Sequence, residues 1–263
     1  MISFLNEGTL LNNLKIRKMN SALITGANRS IGLETAKILS KKGLFVYLGT
    51  RHLEKGKAVV EELNKDGFQN IKAIAIDVTK PESVLAAAKI VENEQGKLDI
   101  LINNAGISGE FPQNASNTSI NDIQNVFDTN FFGVITVTQA FLELLKKSQS
   151  PRISNITSGL GSLTLHSDPS WKYYDFKATS YITSKAALNA YTITLAYELK
   201  DLPFKVNAID PGYTATDFNH HSGPGTVESA ANFIVKHTFT DENAPTGKFF
   251  SNDIEDSSEV SPW

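Results

Sequence analysis

Tyr181 and Lys185 stand four residues apart in a stretch with helical character, which puts them on one helix face. An ammonium beside a phenol favours the phenolate and lowers the tyrosine pKa from its usual ~10. A tyrosine so placed serves as a general acid/base near neutral pH. The spacing alone is common among surface helices, so it needs company. Ser158 lies just past an apolar run, where a hydroxyl at a sheet edge can meet a ligand. Asn130 interrupts an apolar stripe between Phe127 and Val134. A buried amide must have partners. It is either a satisfied core amide that bends its helix or an amide that holds a water or polar group at the sheet's carboxyl edge.

A second cluster is Thr25-Gly26-Ala27-Asn28-Arg29-Ser30-Ile31-Gly32. Its glycines let the chain turn sharply and let backbone approach a ligand. The helix that follows offers free N–H groups and a positive dipole end to a pyrophosphate. Many strand–helix turns also use a glycine pair. The position after the first strand favours the ligand reading.

The elements needed to position these groups can be read along the chain. Strands are expected at 21–25, 44–49, 71–77, 98–103, 153–157, 204–210 and 247–251. Helices are expected at about 31–42, 54–66, 119–147, 179–199 and 227–238. Another should follow Thr79-Lys80-Pro81-Glu82, which reads as a capping box with an early proline. The helix over 119–147 carries apolar residues at 120, 123, 127, 134, 137, 141 and 144. Alternating short strands and longer helices predict an α/β fold: about seven strands in one parallel, doubly wound sheet, with helices on both faces. No linker or repeat divides 20–263, which reads as a single domain. Residues 1–19 read as a non-secretory extension, since their basic residues lie at the end and no apolar h-region is present. Met19 stands as an alternative start, and an arm packed on the domain is equally open. The expected location is cytoplasmic.

Composition removes other classes. The 263 residues include 25 Lys+Arg and 28 Asp+Glu, for a net charge of −3. That balance gives no electrostatic footprint for nucleic acid or an anionic membrane. There is no cysteine, which excludes disulfides, thiol nucleophiles and zinc–thiolate sites. No apolar run approaches the ~20 residues of a membrane span. His220-His221 has no ligand cluster nearby, so no metal is expected.

Together these residues resemble the short-chain dehydrogenase/reductase family, most closely its carbonyl-reductase-like members. The resemblance rests on TGANRSIG at 25–32, Asp77-Val78, Asn103-Asn104-Ala105-Gly106, Asn130, Ser158, Tyr181-x-x-x-Lys185, and Pro211-Gly212 followed by Thr214 and Thr216. It runs from about Met19 to the end of the chain and implies a Rossmann-type sheet. It also implies that Tyr181 gives or takes the proton, that Lys185 lowers its pKa and holds the nicotinamide ribose, and that Ser158 stabilises the developing oxyanion. Asn130 would hold a water that links Lys185 to solvent. Asn104 would brace the sheet centre beside the cofactor, with Ala105 and Gly106 following it. Asp77 would bond the adenine amine, with Val78 beside it. Thr214 and Thr216, after Pro211 and Gly212, would meet the carboxamide and diphosphate. Gly26, Asn28, Arg29, Ser30, Ile31 and Gly32 would form the phosphate loop. Ser30 replaces a glycine of the family pattern, and it fits if its backbone stays right-handed.

The second strand ends Tyr47-Leu48-Gly49-Thr50-Arg51, with no acid at 48–51 for a ribose 2′-hydroxyl. Arg51 and Arg29 suit a 2′-phosphate, so NADP(H) is expected over NAD(H). A strand-end arginine in solvent is the plainer alternative. Between Ser158 and Tyr181 lie 22 residues, longer than the family's usual interval. They include Trp171, Tyr173, Tyr174 and Phe176, which either line a cleft for an apolar carbonyl compound or pack the insertion down. The loop 217–226 is expected as a lid, and Glu259–Trp263 as a cover at one cleft edge. The expected partner is a small carbonyl or alcohol substrate. The family implies a homodimer or homotetramer, against which the insertion stands at the usual interface. Two other functions fit parts of the pattern: an epimerase or dehydratase on a related fold, and an NADP(H)-binding redox sensor.

Overall fold

Residue alternation explains the sheet. Successive side chains of a strand point to opposite faces. Ala22 and Ile24 fall in one buried cluster and Leu23 in the other; Ile100 and Ile102 fall with the first pair and Leu101 with Leu23. A strand buried on both faces must be apolar throughout, as parallel strands between helices are.

The computed structural model describes residues 20–254 and 256–263. The expected extension at 1–19 lies outside them. Seven strands form one sheet: β1 (Ser21–Ile24), β2 (Phe45–Thr50), β3 (Ile71–Ala75), β4 (Ile100–Asn103), β5 (Arg152–Ile156), β6 (Lys205–Asp210) and β7 (Phe249–Ser251). Their order is β3-β2-β1-β4-β5-β6-β7, and every neighbouring pair is parallel. The order reverses between β1 and β4. Ligands of such sheets bind at the carboxyl ends beside that switch point.

Helices α1 (Ser30–Lys41), α2 (Leu53–Lys65) and α8 (Val227–Thr238) cover one face with Ala36, Leu39, Leu63, Phe233 and Ile234. Helices α3 (Pro81–Gln95), α4 (Ile120–Phe127), α5 (Gly133–Lys146) and α7 (Thr179–Glu198) lie on the other side of the sheet. Val84, Val91, Val137, Phe141 and Leu195 form the core there. Phe141 is fully buried, so its truncation to alanine costs about 3–5 kcal/mol. A short helix, α6 (Leu163–His166), begins the insertion after β5. Among the described residues no helix is long and apolar enough to cross a membrane.

Three local expectations are corrected. The helix expected over 119–147 is not continuous: Asp128–Phe132 is a π-helical turn between α4 and α5. Such a turn holds an extra residue and shifts the side-chain phase, often at functional sites. The capping box at Thr79 does not form. Lys80 is the N-cap of α3, with no side-chain cap bond, and the Thr79 hydroxyl instead donates to Asp77 Oδ1 at 2.7 Å. Ser30 is not right-handed; its φ is +49°, the left-handed region that a glycine occupies freely.

Candidate active site

The phosphate loop joins β1 to α1 against the end of β4. Gly26 has φ +64°, and a Cβ on it would lie 3.0 Å from Ala105 Cα. A Cβ on Gly32 would lie 2.6 Å from Asn104 Nδ2 and 2.9 Å from Ala27 Cα. Both positions therefore need glycine. Asn104 Nδ2 donates to the carbonyls of Thr25 and Gly26 at 2.9 and 3.1 Å. The Thr25 hydroxyl accepts from the N–H groups of Asn104 and Ala105, each at 3.0 Å. The loop is thus tied to the end of β4 by Asn104. Arg29 is the N-cap of α1 and makes no side-chain cap bond. The first N–H groups of α1 are left for an anionic ligand.

The rim beyond the loop is charged. Arg51 is exposed after β2, and Asp77 is half-buried after β3. Burial pushes the Asp77 carboxyl up, but hydrogen bonds from Thr79 and the charges of Lys80 and Arg51 outweigh it and hold the group below the usual range. Val78 is buried, and one of its methyl carbons would lie 2.8 Å from a Cβ on Gly133. Arg29 reaches across to Asp217 at 3.4 Å, and His221 contacts the same carboxylate at 3.0 Å.

At the carboxyl end of β5, Ser158 and Tyr181 meet. The Ser158 hydroxyl lies close enough to the Tyr181 phenol to favour its ionised form. The Ser158 hydroxyl also accepts the Leu160 N–H at 3.2 Å. Lys185 Nζ sits 5.8 Å from the centre of the Tyr181 ring and donates to the Ile156 carbonyl at 2.8 Å. The expected lowering of the phenol's pKa by Lys185 is not found in this arrangement. Burial pushes the Tyr181 phenol above its usual value, Ser158 opposes it, and the charge of Asp210 adds to it. Burial also brings Lys185 down to about 8, with Asp210 opposing. Burial disfavours whichever form is charged, so the two shifts run in opposite directions.

Asn130 is fully buried, and the π turn aims it inward. Its Nδ2 donates to the Ile107 carbonyl at 2.9 Å and to the Ser184 hydroxyl at 3.0 Å, while Oδ1 accepts the Ile107 N–H at 2.9 Å. These bonds hold the chain after Gly106. A Cβ on Gly106 would lie 3.4 Å from Asn130 Oδ1 and 3.7 Å from Lys185 Nζ, so the two polar groups converge there. The amide is satisfied by protein groups, and it faces the Lys185 side of the site.

Pro211, Gly212, Thr214 and Thr216 follow β6. Gly212 has φ +81°, and its N–H donates to Asp210 Oδ1 at 3.0 Å. Thr214 and Thr216 are buried; Thr214 donates to the Gly212 carbonyl at 3.2 Å, and Thr216 forms a reciprocal cap with Asn219. Tyr213, Phe218 and the insertion supply aromatic walls. Trp171 meets Tyr173 edge-on at 5.3 Å, Tyr173 meets Tyr213 at 6.0 Å, and Phe218 lies 5.7 Å from Tyr181. The end of the chain packs on the insertion: Thr164 donates twice to the Trp263 carbonyl, and Trp263 stacks on Phe249.

Two residues of this site escaped sequence reasoning. Gln113, buried in the loop before α4, accepts the Tyr181 N–H at 3.1 Å. Asp210 is buried at the end of β6, where the strand pattern called for an apolar residue. That break in pattern was the available signal. Gln113 gave none, because its partner lies 68 residues away.

Comparison with known proteins agrees with this geometry. The chain matches the short chain dehydrogenase family over residues 20–226. It is 37% identical to a short-chain dehydrogenase of Penicillium roqueforti, covering 81% of this chain and 86% of that one. It is 31% identical to salutaridine reductase of Papaver bracteatum, covering 89% and 95%. Among solved structures, NADPH-bound carbonyl reductase from chicken fatty liver superposes with a TM-score of 0.80 at 28% identity, covering 94% of this chain and all of that one.

Proposed function

This chain belongs to the short-chain dehydrogenase family of oxidoreductases, and from that premise we propose that it is an NADP(H)-dependent carbonyl reductase. It would convert a ketone or aldehyde to an alcohol, or run the reverse, with residues 20–263 acting as one domain. The observation that carries the reading is the Tyr181–Ser158 hydroxyl pair beside the buried Lys185 ammonium, at the sheet edge next to the glycine loop.

The residues present fit the cofactor. Glycines stand where a Cβ would clash, and the start of α1 has no side-chain cap. Gly26, Asn28, Ile31 and Gly32 hold the pyrophosphate, with Arg51 and Arg29 toward a 2′-phosphate, and Ser30 stands among them in the left-handed backbone that a glycine occupies freely. Asp77 and Val78 take the adenine. Asn104, Ala105 and Gly106 form the floor. Lys185 holds the ribose hydroxyls, and Pro211, Gly212, Thr214 and Thr216 meet the nicotinamide side. The bound nicotinamide supplies or accepts the hydride.

Ser158 donates to the substrate carbonyl oxygen. As charge gathers on that oxygen, Tyr181 releases its proton to it. A phenol whose pKa is raised by burial is protonated at neutral pH, which suits reduction. Asn130 keeps the Ile107 segment and Ser184 in place beside Lys185. The aromatic walls suit a bulky apolar carbonyl compound.

The reading is tested by titrating the protein with NADPH and NADH, then following NADPH oxidation with a panel of aldehydes, ketones and quinones. Tyr181→Phe should abolish turnover and leave NADPH binding intact. Binding without turnover in the unsubstituted protein would favour the sensor reading. Turnover that survives in Tyr181→Phe would sink the assigned mechanism.

A further inference from the structure

Asp210 is a carboxylate only 3% exposed, at the end of a strand whose Val206, Ala208 and Ile209 lie in the core. The β5–β6 register pairs Ile156 with Ile209, which sets Asp210 beside the start of the Ser158 loop. Its Oδ2 accepts the Ser251 hydroxyl at 2.6 Å, and its Oδ1 accepts the Gly212 N–H at 3.0 Å. The backbone N–H of Gly159, the residue after Ser158, also acts on the carboxylate and favours its ionised form. A Cβ on Gly159 would come within 3.0 Å of Oδ2, so the loop lies directly on the carboxylate. One side chain thus joins the ends of β5, β6 and β7 beneath Ser158.

The groups facing it come from four directions. Helix α7 presents Tyr181 and Lys185. The segment after β7 presents Asp253, and the insertion presents Tyr173, with Lys172 bridging those two. The loop after β5 contributes the Gly159 N–H. A buried anion here disfavours ionisation of Tyr181 and favours the ammonium of Lys185. Burial and Asp253 push Asp210 itself up to about 6, against the opposing effect of Ser251, Gly212 and the Gly159 N–H. It is therefore ionised at neutral pH.

We propose that Asp210 is a positioning residue of this site: its buried carboxylate braces the loop that carries Ser158 and keeps Tyr181 as the neutral phenol that gives its proton to a carbonyl. This rests on the reading of Ser158, Tyr181 and Lys185 given above. Asp210 acts through those groups.

The test uses Asp210→Asn in the full chain, with two readouts. Ionisation of Tyr181 is followed by ultraviolet difference titration, each protein against its own Tyr181→Phe counterpart. It needs no turnover. The Asn variant should ionise Tyr181 about one pH unit lower than the unsubstituted protein. Where a carbonyl–alcohol pair turns over, the alkaline rise in alcohol oxidation should move down by the same amount, with KM little changed. Superimposable titrations overturn the proposal, as does a fall in kcat with no displacement of the pH profile. Absence of turnover in the unsubstituted protein counts against the reductase reading alone, since the titration still reads Asp210. Should Asp210→Asn not fold, Ser251→Ala keeps the carboxylate but removes its shortest bond. Protonation of Asp210 puts an acid limb near pH 6 on the pH–activity profile, and that limb should then move up, because the ionised form has lost a donor. An unmoved limb overturns the proposal equally.

Discussion

The side-chain oxygen of Gln113 accepts the backbone N–H of Tyr181 at 3.1 Å, and the Gln113 carbonyl accepts that of Thr179 at the same distance. Helix α7 starts at Thr179 behind Ala178, whose side chain cannot cap it. The first turn of a helix has N–H groups without intrahelical partners. A distant glutamine satisfies two of them and fixes the turn that carries the phenol. Gln113→Ala should cost about 1 kcal/mol, as other cap losses do. For a chain of this size the melting point should fall by roughly 2–4 °C. Because small displacements of a reacting group are costly, kcat should fall several-fold with KM nearly unchanged. A variant with unaltered melting point and kcat would show that the cap does neither job.

The elements that hold the site were legible because they are periodic. Alternation at 22–24 and 100–102 and the helical stripe at 134, 137, 141 and 144 each report burial on a face. The glycine loop was legible because Gly26 and Gly32 are demanded by close backbone approach. The π turn at 128–132 was not, since a one-residue insertion in a helix leaves both flanking stripes intact. The cap at Thr79 failed because the helix starts one residue later, with Lys80 as its N-cap, and the Thr79 side chain turns back to Asp77. The direction of the Tyr181 shift could not be read from Tyr-x-x-x-Lys spacing, because it depends on burial and on Asp210, 29 residues beyond Tyr181 in sequence.

Cofactor choice should follow Arg51 more than Arg29. Arg29 is paired with Asp217 across the cleft, but both groups are exposed and the pair is screened, so it holds Arg29 only weakly. A hydrogen bond to a charged group contributes about 1.5–3 kcal/mol. Arg51→Ala should therefore raise the NADPH Kd by roughly 10- to 100-fold and leave the NADH Kd within twofold. Arg29→Ala should act in the same direction and less strongly. Equal loss of both cofactors in fluorescence titrations would refute a 2′-phosphate site.

Lys185 gives the fold a pH signature. Its folded value is lowered to about 8 by burial, against ~10.4 for an unfolded lysine. Below pH 8 both states carry the proton, and the cost of burying the charge is constant. Between about 8 and 10.4 the unfolded state binds more protons than the folded one, so this group's contribution to stability rises with pH. Lys185→Met removes that dependence. Denaturant unfolding of the two proteins should show the variant's relative advantage shrinking as pH climbs from 8 to 10. A difference flat over that range would mean that Lys185 titrates normally.

The aromatic wall decides between two readings of the insertion. Trp171 is half-buried, meets His166 and Tyr173 edge-on at 5.0 and 5.3 Å, and would lie 3.7 Å from a Cβ on Gly159. It therefore stands over the residue next to Ser158. The chain of rings continues through Tyr173 to Tyr213 on the opposite loop, where Phe218 approaches Tyr181. Rings that span both sides of the Ser158–Tyr181 pair can bury a large apolar substrate, and loss of one such contact costs about 1–3 kcal/mol. Trp171→Ala should then raise KM for bulky aromatic or alicyclic ketones by roughly tenfold or more, while small aliphatic aldehydes change little. If the tryptophan only packs the insertion, both substrate classes should lose equally, through kcat and melting point together. Steady-state kinetics on one bulky and one small carbonyl compound, read beside a thermal melt, separates the two.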